Sequence, residues 1–272
     1  MRKTLINSKR IVIKVGTSSI THNTGKINLI KIEKIARILS DIVNRGTEVI
    51  LVTSGAIGVG IGKLNLKRRP VSMGEKQAVA AVGQCELMHI YSKFFSEYGH
   101  TVAQLLLTKD VVDDTDRRKH VQNTFLNLFK RSIIPIVNEN DTISVEEIEN
   151  IVNFGDNDTL SATVSDIISA DLLIILSDID GLYNKNPKEF SNPSLVSEII
   201  EITSDVEKYA GKSGSDLGTG GMFTKINAAK IATSAGVNVV IANGEDPYVI
   251  NDILNGINVG TLFIAKRRDI IT

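Results

Sequence analysis

Residues 172–176 read LLIIL, apolar at every position, and residues 133–137 read IIPIV. A strand with one wet face alternates apolar and polar side chains, whereas a strand apolar on both faces fits a parallel sheet covered by helices on each side. Working outward from these two runs, β-branched stretches predict further strands at Arg10–Val15, Glu48–Val52, Thr101–Leu107, Val237–Ala242 and Thr261–Ala265. Helical patterns between them predict helices at Leu29–Asn44, Gly74–Tyr98, Arg117–Lys130, Asp158–Ser169 and Thr224–Ala235. Alternation of this kind implies a layered α/β architecture. Gly46 and Gly236 stand where left-handed helix caps belong. Pro135 inside IIPIV favours an edge strand, a strand end or a bulge, because it cannot donate to a ladder.

The chain has 272 residues, enough to bury roughly three-quarters of its unfolded surface without disulfides or a structural metal. It reads as one domain over 1–272, with no low-complexity linker or internal repeat and a soft division into lobes 1–170 and 171–272. The 31 basic and 31 acidic side chains cancel, so no broad field points to nucleic acid or an anionic membrane. Cys85 is the single cysteine, read as an ordinary buried helix position, and it allows no intrachain disulfide. No apolar run reaches the roughly 18 residues that span a bilayer, and the amino terminus lacks a signal-peptide core, so a cytoplasmic protein is expected. Four scattered histidines show no metal-ligand spacing, and no metal site is expected. The charged run Asp116–His120 reads as a solvated helix face, and Arg68 and Arg69 as a surface loop.

Two lysines carry the chemistry: Lys14 in IVIKVGTSS and Lys225 in GTGGMFTK, both in glycine-rich settings. Fixed cations on backbone-exposing loops suit a polyphosphate whose charge shifts as a phosphoryl group moves. Gly16, Gly55 and Gly58 follow the first two strands, at the end of a parallel sheet where ligands bind, although tight turns alone would also use them. Between the lysines lie NEND (138–141) and FGDND (154–158), dense in amides and carboxylates. Turns and helix caps use the same residues, yet together they suit an α-amino, α-carboxylate ligand. The familiar nucleotide motifs fail: Val206 replaces the first glycine of a P-loop ending at Gly211-Lys212-Ser213, and Lys63 replaces the last glycine of a dinucleotide fingerprint. The reading is a small-molecule phosphotransferase on a different nucleotide-binding fold.

IVIKVGTSSI (11–20), VTSGAIGVG (52–60), IVNENDTIS (136–144), FGDNDTLSA (154–162), LSDIDGLY (176–183), GTGGMFTK (218–225) and VGTLF (259–263), in this order, resemble the glutamate 5-kinases of the amino acid kinase family. The resemblance covers about residues 9–265. It implies a three-layer α-β-α sandwich with a mainly parallel central sheet, and ATP-dependent phosphorylation of the γ-carboxylate of L-glutamate, the first step toward proline. It assigns Lys14 and Lys225 to the transferring phosphoryl group and Asp158 to organising both. Ser54, Ala56, Asn138, Asp141, Asp156 and Asn157 would hold glutamate. Lys14, Gly16, Ser177, Asp178 and the loop Thr219, Gly220, Gly221, Met222, Phe223, Thr224 and Lys225 would hold ATP, with Mg²⁺ arriving on the nucleotide. It further implies proline as a feedback inhibitor, a homo-oligomer, and glutamate-5-semialdehyde dehydrogenase as the enzyme that uses the labile product. The carboxy-terminal PUA domain of many relatives is not expected here. The alternatives are a sister enzyme acting on N-acetylglutamate, aspartate or a nucleoside monophosphate, or a non-catalytic amino-acid sensor. A sensor is expected to lack one of the two lysines, and both are present.

Overall fold

The computed structural model describes residues 2–22, 24, 26–108, 113–143, 156–185, 192–209 and 221–266. After a 3-10 turn at Arg2–Asn7, the elements are β1 (Arg10–Val15), α1 (Thr17–Ile20), α2 (Leu29–Asn44), β2 (Glu48–Val52), α3 (Ala56–Lys63), α4 (Met73–Glu97), β3 (Val102–Leu107), α5 (Thr115–Phe129) and β4 (Ile134–Glu139). They continue with α6 (Asn157–Ile167), β5 (Leu172–Ser177), β6 (Glu198–Ile199), α7 (Ser204–Tyr209), α8 (Met222–Ser234), β7 (Asn238–Asn243), α9 (Val249–Leu254) and β8 (Thr261–Phe263). The strands are mainly parallel and helices cover both faces, an α-β-α sandwich. Contacts divide the chain into two compact units, Met1–Lys14 with Asp158–Thr272, and Val15–Asn157. These bounds differ from a division at residue 170, because the first strand and the segment from Asp158 onward share one unit.

In the unit Val15–Asn157 the strand order is β3-β4-β2, all parallel, with Leu51 opposite Ile136 and Val102 opposite Ile134. Pro135 is the second residue of β4, facing Ala103. The strand-end expectation holds, but β4 is flanked on both sides rather than at an edge. Helix α2 forms where its sequence predicts: the Asn28 side chain accepts from Lys31 N at its start, and Gly46 takes a φ of 87° beyond its end. Its buried face presents Ile32, Ile35, Ile38, Leu39 and Ile42, each contributing roughly 1.5–3 kcal/mol on removal from water. A Ser72/Glu75 capping box starts α4, and the Arg68 guanidinium also meets Glu75, at 3.2 Å. The residues at 116–120 are largely exposed on α5, as a solvated face requires.

Helices α3 and α4 cross backbone against backbone. A Cβ built on Gly83 would lie 1.7 Å from the Ala56 carbonyl oxygen and 2.5 Å from Gly60 N, and one on Gly60 would lie 2.1 Å from Val79 O. No side-chain rotation relieves such contacts. Gly83→Ala is expected to cost about 2–3 kcal/mol, the upper part of the overpacking range, and denaturant unfolding reads it directly. The same crossing corrects the reading of Cys85: Gly83, Gln84 and Leu87 face inward, which turns Cys85 outward, and the thiol is exposed.

In the other unit the order is β1-β5-β7-β8-β6. β5 and β7 are parallel from Leu172/Asn238 to Ser177/Asn243, β8 runs antiparallel to β7, and the two-residue β6, too short to show periodicity, pairs parallel with β8. Every residue of β5 is buried, as its continuous apolar run predicts. The Asp171 carboxylate accepts from the Lys9 and Arg10 amides at 2.7 and 2.9 Å, which ties the start of β1 to the start of β5. The buried Arg2 guanidinium donates to Val259 O, Ser197 O and Gly260 O at 2.6–2.9 Å and holds the amino-terminal turn against the approach to β8. Gly236, at φ 81°, ends α8 as expected.

Candidate active site

Lys14 lies next to the carboxyl end of β1, Lys225 lies in the first turn of α8, and Asp158 is the second residue of α6. The fold brings the three together. Lys14 Nζ is 2.6 Å from Asp158 Oδ1, and Lys225 Nζ is 3.1 Å from Oδ2. Relative exposures of 7% for Lys14, 4% for Lys225 and zero for Asp158 place all three inside the protein. Burial by itself would raise the Asp158 pKa, but attraction to Lys14 and then Lys225, with their hydrogen bonds, outweighs it and holds the carboxyl below its ordinary 3.8. The carboxylate therefore stays ionised, and the stability it contributes is present above that ordinary value and lost as pH falls through the lower one.

Two buried ammonium groups thus share the two oxygens of one buried carboxylate in a nearly dry setting. Thr224 Oγ1 adds a donor, 3.0 Å from Asp158 Oδ2 and 2.8 Å from Gly221 O. Gly221, the N-cap of α8, offers no side-chain acceptor to the first-turn amides, so the positive end of that helix lies beside the two ammonium groups. Of the glycine-rich loop, Met222 is half-buried and Phe223 exposed, while Thr219 and Gly220 lie outside the described residues.

Ser177 ends β5 and donates to Asp178 Oδ1 at 3.1 Å. Its register partner is Asn243, whose Nδ2 donates to Asp180 Oδ1 at 2.9 Å, and Tyr183 OH donates to the other oxygen of Asp180. Asp180, Tyr183 and Asn243 thus join the two expected residues at the carboxyl ends of these strands. No spacing in the sequence links positions 180 and 243. Gly16 caps the short α1 in an extended conformation (φ −83°, ψ 166°) and belongs to the unit that holds Ser54.

In that second unit three amides and a hydroxyl form a connected network. Asn157 Nδ2 donates to Ser54 Oγ at 2.8 Å and to Asn138 Oδ1 at 3.2 Å. Asn138 Nδ2 donates to Gln84 Oε1 at 2.8 Å. Asn138 is the penultimate residue of β4, one position short of the strand end expected of it, and Ala56 opens α3 directly after Ser54 and Gly55, whose φ of 93° makes the turn. Gln84, projecting from the middle of α4, is the member that sequence reasoning missed. Its only signal is a polar side chain on the buried face of a helix. Two buried atoms of the network have no protein partner, Asn157 Oδ1 and Gln84 Nε2. Such atoms are costly unless a ligand or water satisfies them.

Carboxylates crowd the same region. Glu139 is pushed up from 4.5 to about 7, first by burial and then by repulsion from Asp141 and Asp156, and burial also raises Asp141. The folded state therefore holds a proton on Glu139 that the unfolded chain has already released. That stability is present below pH 4.5 and lost as pH rises through about 7. Glu139, Asp141, Asp156 and the unmet Asn157 oxygen make an acceptor-rich setting for a cationic amine.

No group of three or more His, Cys, Asp or Glu side chains among the described residues is placed to hold a metal. Among the same residues, no helix is long and apolar enough to cross a membrane.

The profile of the amino acid kinase family matches residues 9–243. Over 267 residues the chain is 58% identical to the glutamate 5-kinase of Clostridium perfringens, covering 98% of this chain and 99% of that one. It is 55% identical over 269 residues to the glutamate 5-kinase of Listeria innocua, covering 99% and 98%. Among solved structures, the carbamate kinase of Giardia lamblia bound to AMP-PNP superposes with a TM-score of 0.67 at 17% identity, over 96% of this chain and all of that one. A UMP kinase of Bacillus anthracis superposes with a TM-score of 0.62, also at 17% identity, over 96% and 97%. At these identities the structural likeness establishes the fold.

Proposed function

The chain belongs to the amino acid kinase family, and from that premise we infer that it transfers the terminal phosphoryl group of ATP to the γ-carboxylate of L-glutamate. The product is L-glutamyl 5-phosphate, and the reaction opens proline biosynthesis. One observation carries the chemistry: two buried lysines converge on one buried carboxylate, a pair of fixed cations suited to a phosphoryl group.

The acceptor carboxylate is already ionised at neutral pH, so its oxygen attacks phosphorus without a general base while the bond to the leaving ADP oxygen breaks. ATP supplies the phosphoryl group. Lys14 and Lys225 meet the charge that spreads over its oxygens, the first turn of α8 adds backbone donors, and Asp158, itself bonded by the Thr224 hydroxyl, holds both ammonium groups in place so that little reorganisation accompanies the reaction. The resemblance assigns Thr219, Gly220, Gly221, Met222, Phe223, Ser177, Asp178 and Gly16 to the nucleotide. Mg²⁺ travels with ATP and keeps much of its water.

Ser54, Ala56, Asn138, Asp141, Asp156 and Asn157 hold the amino acid, with the unmet Asn157 oxygen and the acidic side chains toward its ammonium group. A bound ammonium favours ionised Glu139, so binding releases a proton below about pH 7. The KM for glutamate is therefore expected to fall several-fold between pH 6 and pH 8, and Glu139→Gln to flatten that profile. A pH-independent KM in the unaltered protein would contradict this role. Proline acts as the feedback ligand, the protein works in the cytoplasm as a homo-oligomer, and glutamate-5-semialdehyde dehydrogenase takes up the acyl phosphate.

The test is ATP consumption with Mg²⁺ and L-glutamate, trapping acyl phosphate with hydroxylamine, beside D-glutamate, L-aspartate, N-acetyl-L-glutamate and UMP. Hydroxamate formed from L-glutamate alone establishes donor, acceptor and reacting carboxylate. Turnover only with another compound moves the chain to a sister activity.

A further inference from the structure

We propose that Gln84 is a positioning residue for the amino-acid substrate: acting through Asn138, it sets the polarity of an amide relay that runs from α4 to Asn157 and Ser54. The inference rests on the glutamate reading above and adds a residue to it.

The relay is a single file of hydrogen bonds, with Gln84 Oε1 accepting from Asn138 and Asn138 Oδ1 accepting from Asn157. Asn157 also donates to Ser54. Each amide has a donor end and an acceptor end, so fixing one orients the next. Turning all three end for end keeps every bond and exchanges the free groups. In either sense one terminus offers an unmet N–H and the other an unmet carbonyl, and here these are Gln84 Nε2 and Asn157 Oδ1. A zwitterionic amino acid needs both, a donor for its carboxylate and an acceptor for its ammonium group. Removing the Gln84 acceptor leaves Asn138 free to turn, and Asn157 with it.

The backbone beneath Gln84 is fixed independently. Gly83 packs against the first turn of α3 so closely that its missing Cβ would lie 1.7 Å from Ala56 O. Ala56 follows the Ser54-Gly55 turn, so Gln84 is held against the segment that carries the other end of the relay. Gln84 itself is 7% exposed, and a polar side chain is kept there at the cost of an unmet donor. Function explains that retention, whereas packing alone would favour a methionine or leucine.

Gln84→Met keeps the side chain's length and removes its acceptor. It is expected to raise the KM for L-glutamate about tenfold, the size of one buried hydrogen bond, with kcat and the KM for ATP within about twofold. Combined with Asn138→Ala it should add little, because both changes cut the same file. An unchanged KM for glutamate, a parallel loss in kcat and ATP affinity, or full additivity would each overturn the proposal. A second readout needs no turnover: in ¹⁵N-labelled free protein, the Asn157 side-chain amide protons should exchange with solvent faster in Gln84→Met. Unaltered exchange would likewise overturn the relay. If the unaltered protein failed to phosphorylate L-glutamate, the substrate reading would fall and the exchange experiment would still decide whether Gln84 orders the relay.

Discussion

Lys225→Ala is expected to lower kcat about 10²–10³-fold while changing the KM for glutamate little. The lysine is 4% exposed and its ammonium group sits 3.1 Å from Asp158, so its charge acts through a medium that screens it weakly. Removing a single preorganised donor to developing charge typically costs about 2.7–4 kcal/mol of barrier, which is that factor in rate. The fold should survive, because Asp158 retains Lys14 at 2.6 Å and the Thr224 hydroxyl at 3.0 Å, and one cation then balances one anion. Single-turnover measurement separates the chemical step from nucleotide release. A kcat within threefold of the unaltered protein would remove Lys225 from the reaction.

The second large effect is on stability. Asp158→Ala removes the anion that two buried ammonium groups share, and breaking a buried pair from one side typically costs about 3–5 kcal/mol. The desolvation of both lysines remains while their attraction is lost. Here the stakes are higher than for an isolated pair, since two buried ammonium groups lose the carboxylate that they share. Thermal unfolding is expected to show a fall in Tm that Mg-ATP partly restores, because the nucleotide's phosphates return negative charge to the lysines. A variant as stable as the unaltered chain would mean that the shared carboxylate contributes nothing to holding the two lysines inside the protein. The contrast between the two substitutions is diagnostic: one side of the ion pair governs rate, the other governs both rate and folding.

The elements themselves were legible in the sequence because each depends on local signals. LLIIL is apolar on both faces and became a fully buried strand, and α2 spans Leu29–Asn44 as its helical pattern predicts. Lys14 and Lys225 were legible as candidates because each sits in a glycine-rich setting suited to phosphate, and Asp158 entered through the family resemblance. Burial around Cys85 was misread because helical spacing gives a face but not its phase; the Gly60/Gly83 crossing sets the phase, and it turns the thiol outward. β6 escaped notice because two residues carry no period.

What the sequence determined by itself is therefore the α/β class, the order of strands and helices, and the kinds of chemistry available: two cations for phosphate, amides and acids for an amino acid. What only the tertiary structure decided is which of these groups meet. Positions 14, 158 and 225 are separated by long stretches of chain, and so are 54, 84, 138 and 157; nothing local encodes their distances. The parallel sheet brings strand ends together, and the glycine crossing seats α4 against α3. Hydrogen bonds and ion pairs depend on those final separations, so the relay through Gln84 and the shared carboxylate of Asp158 exist only in the folded chain.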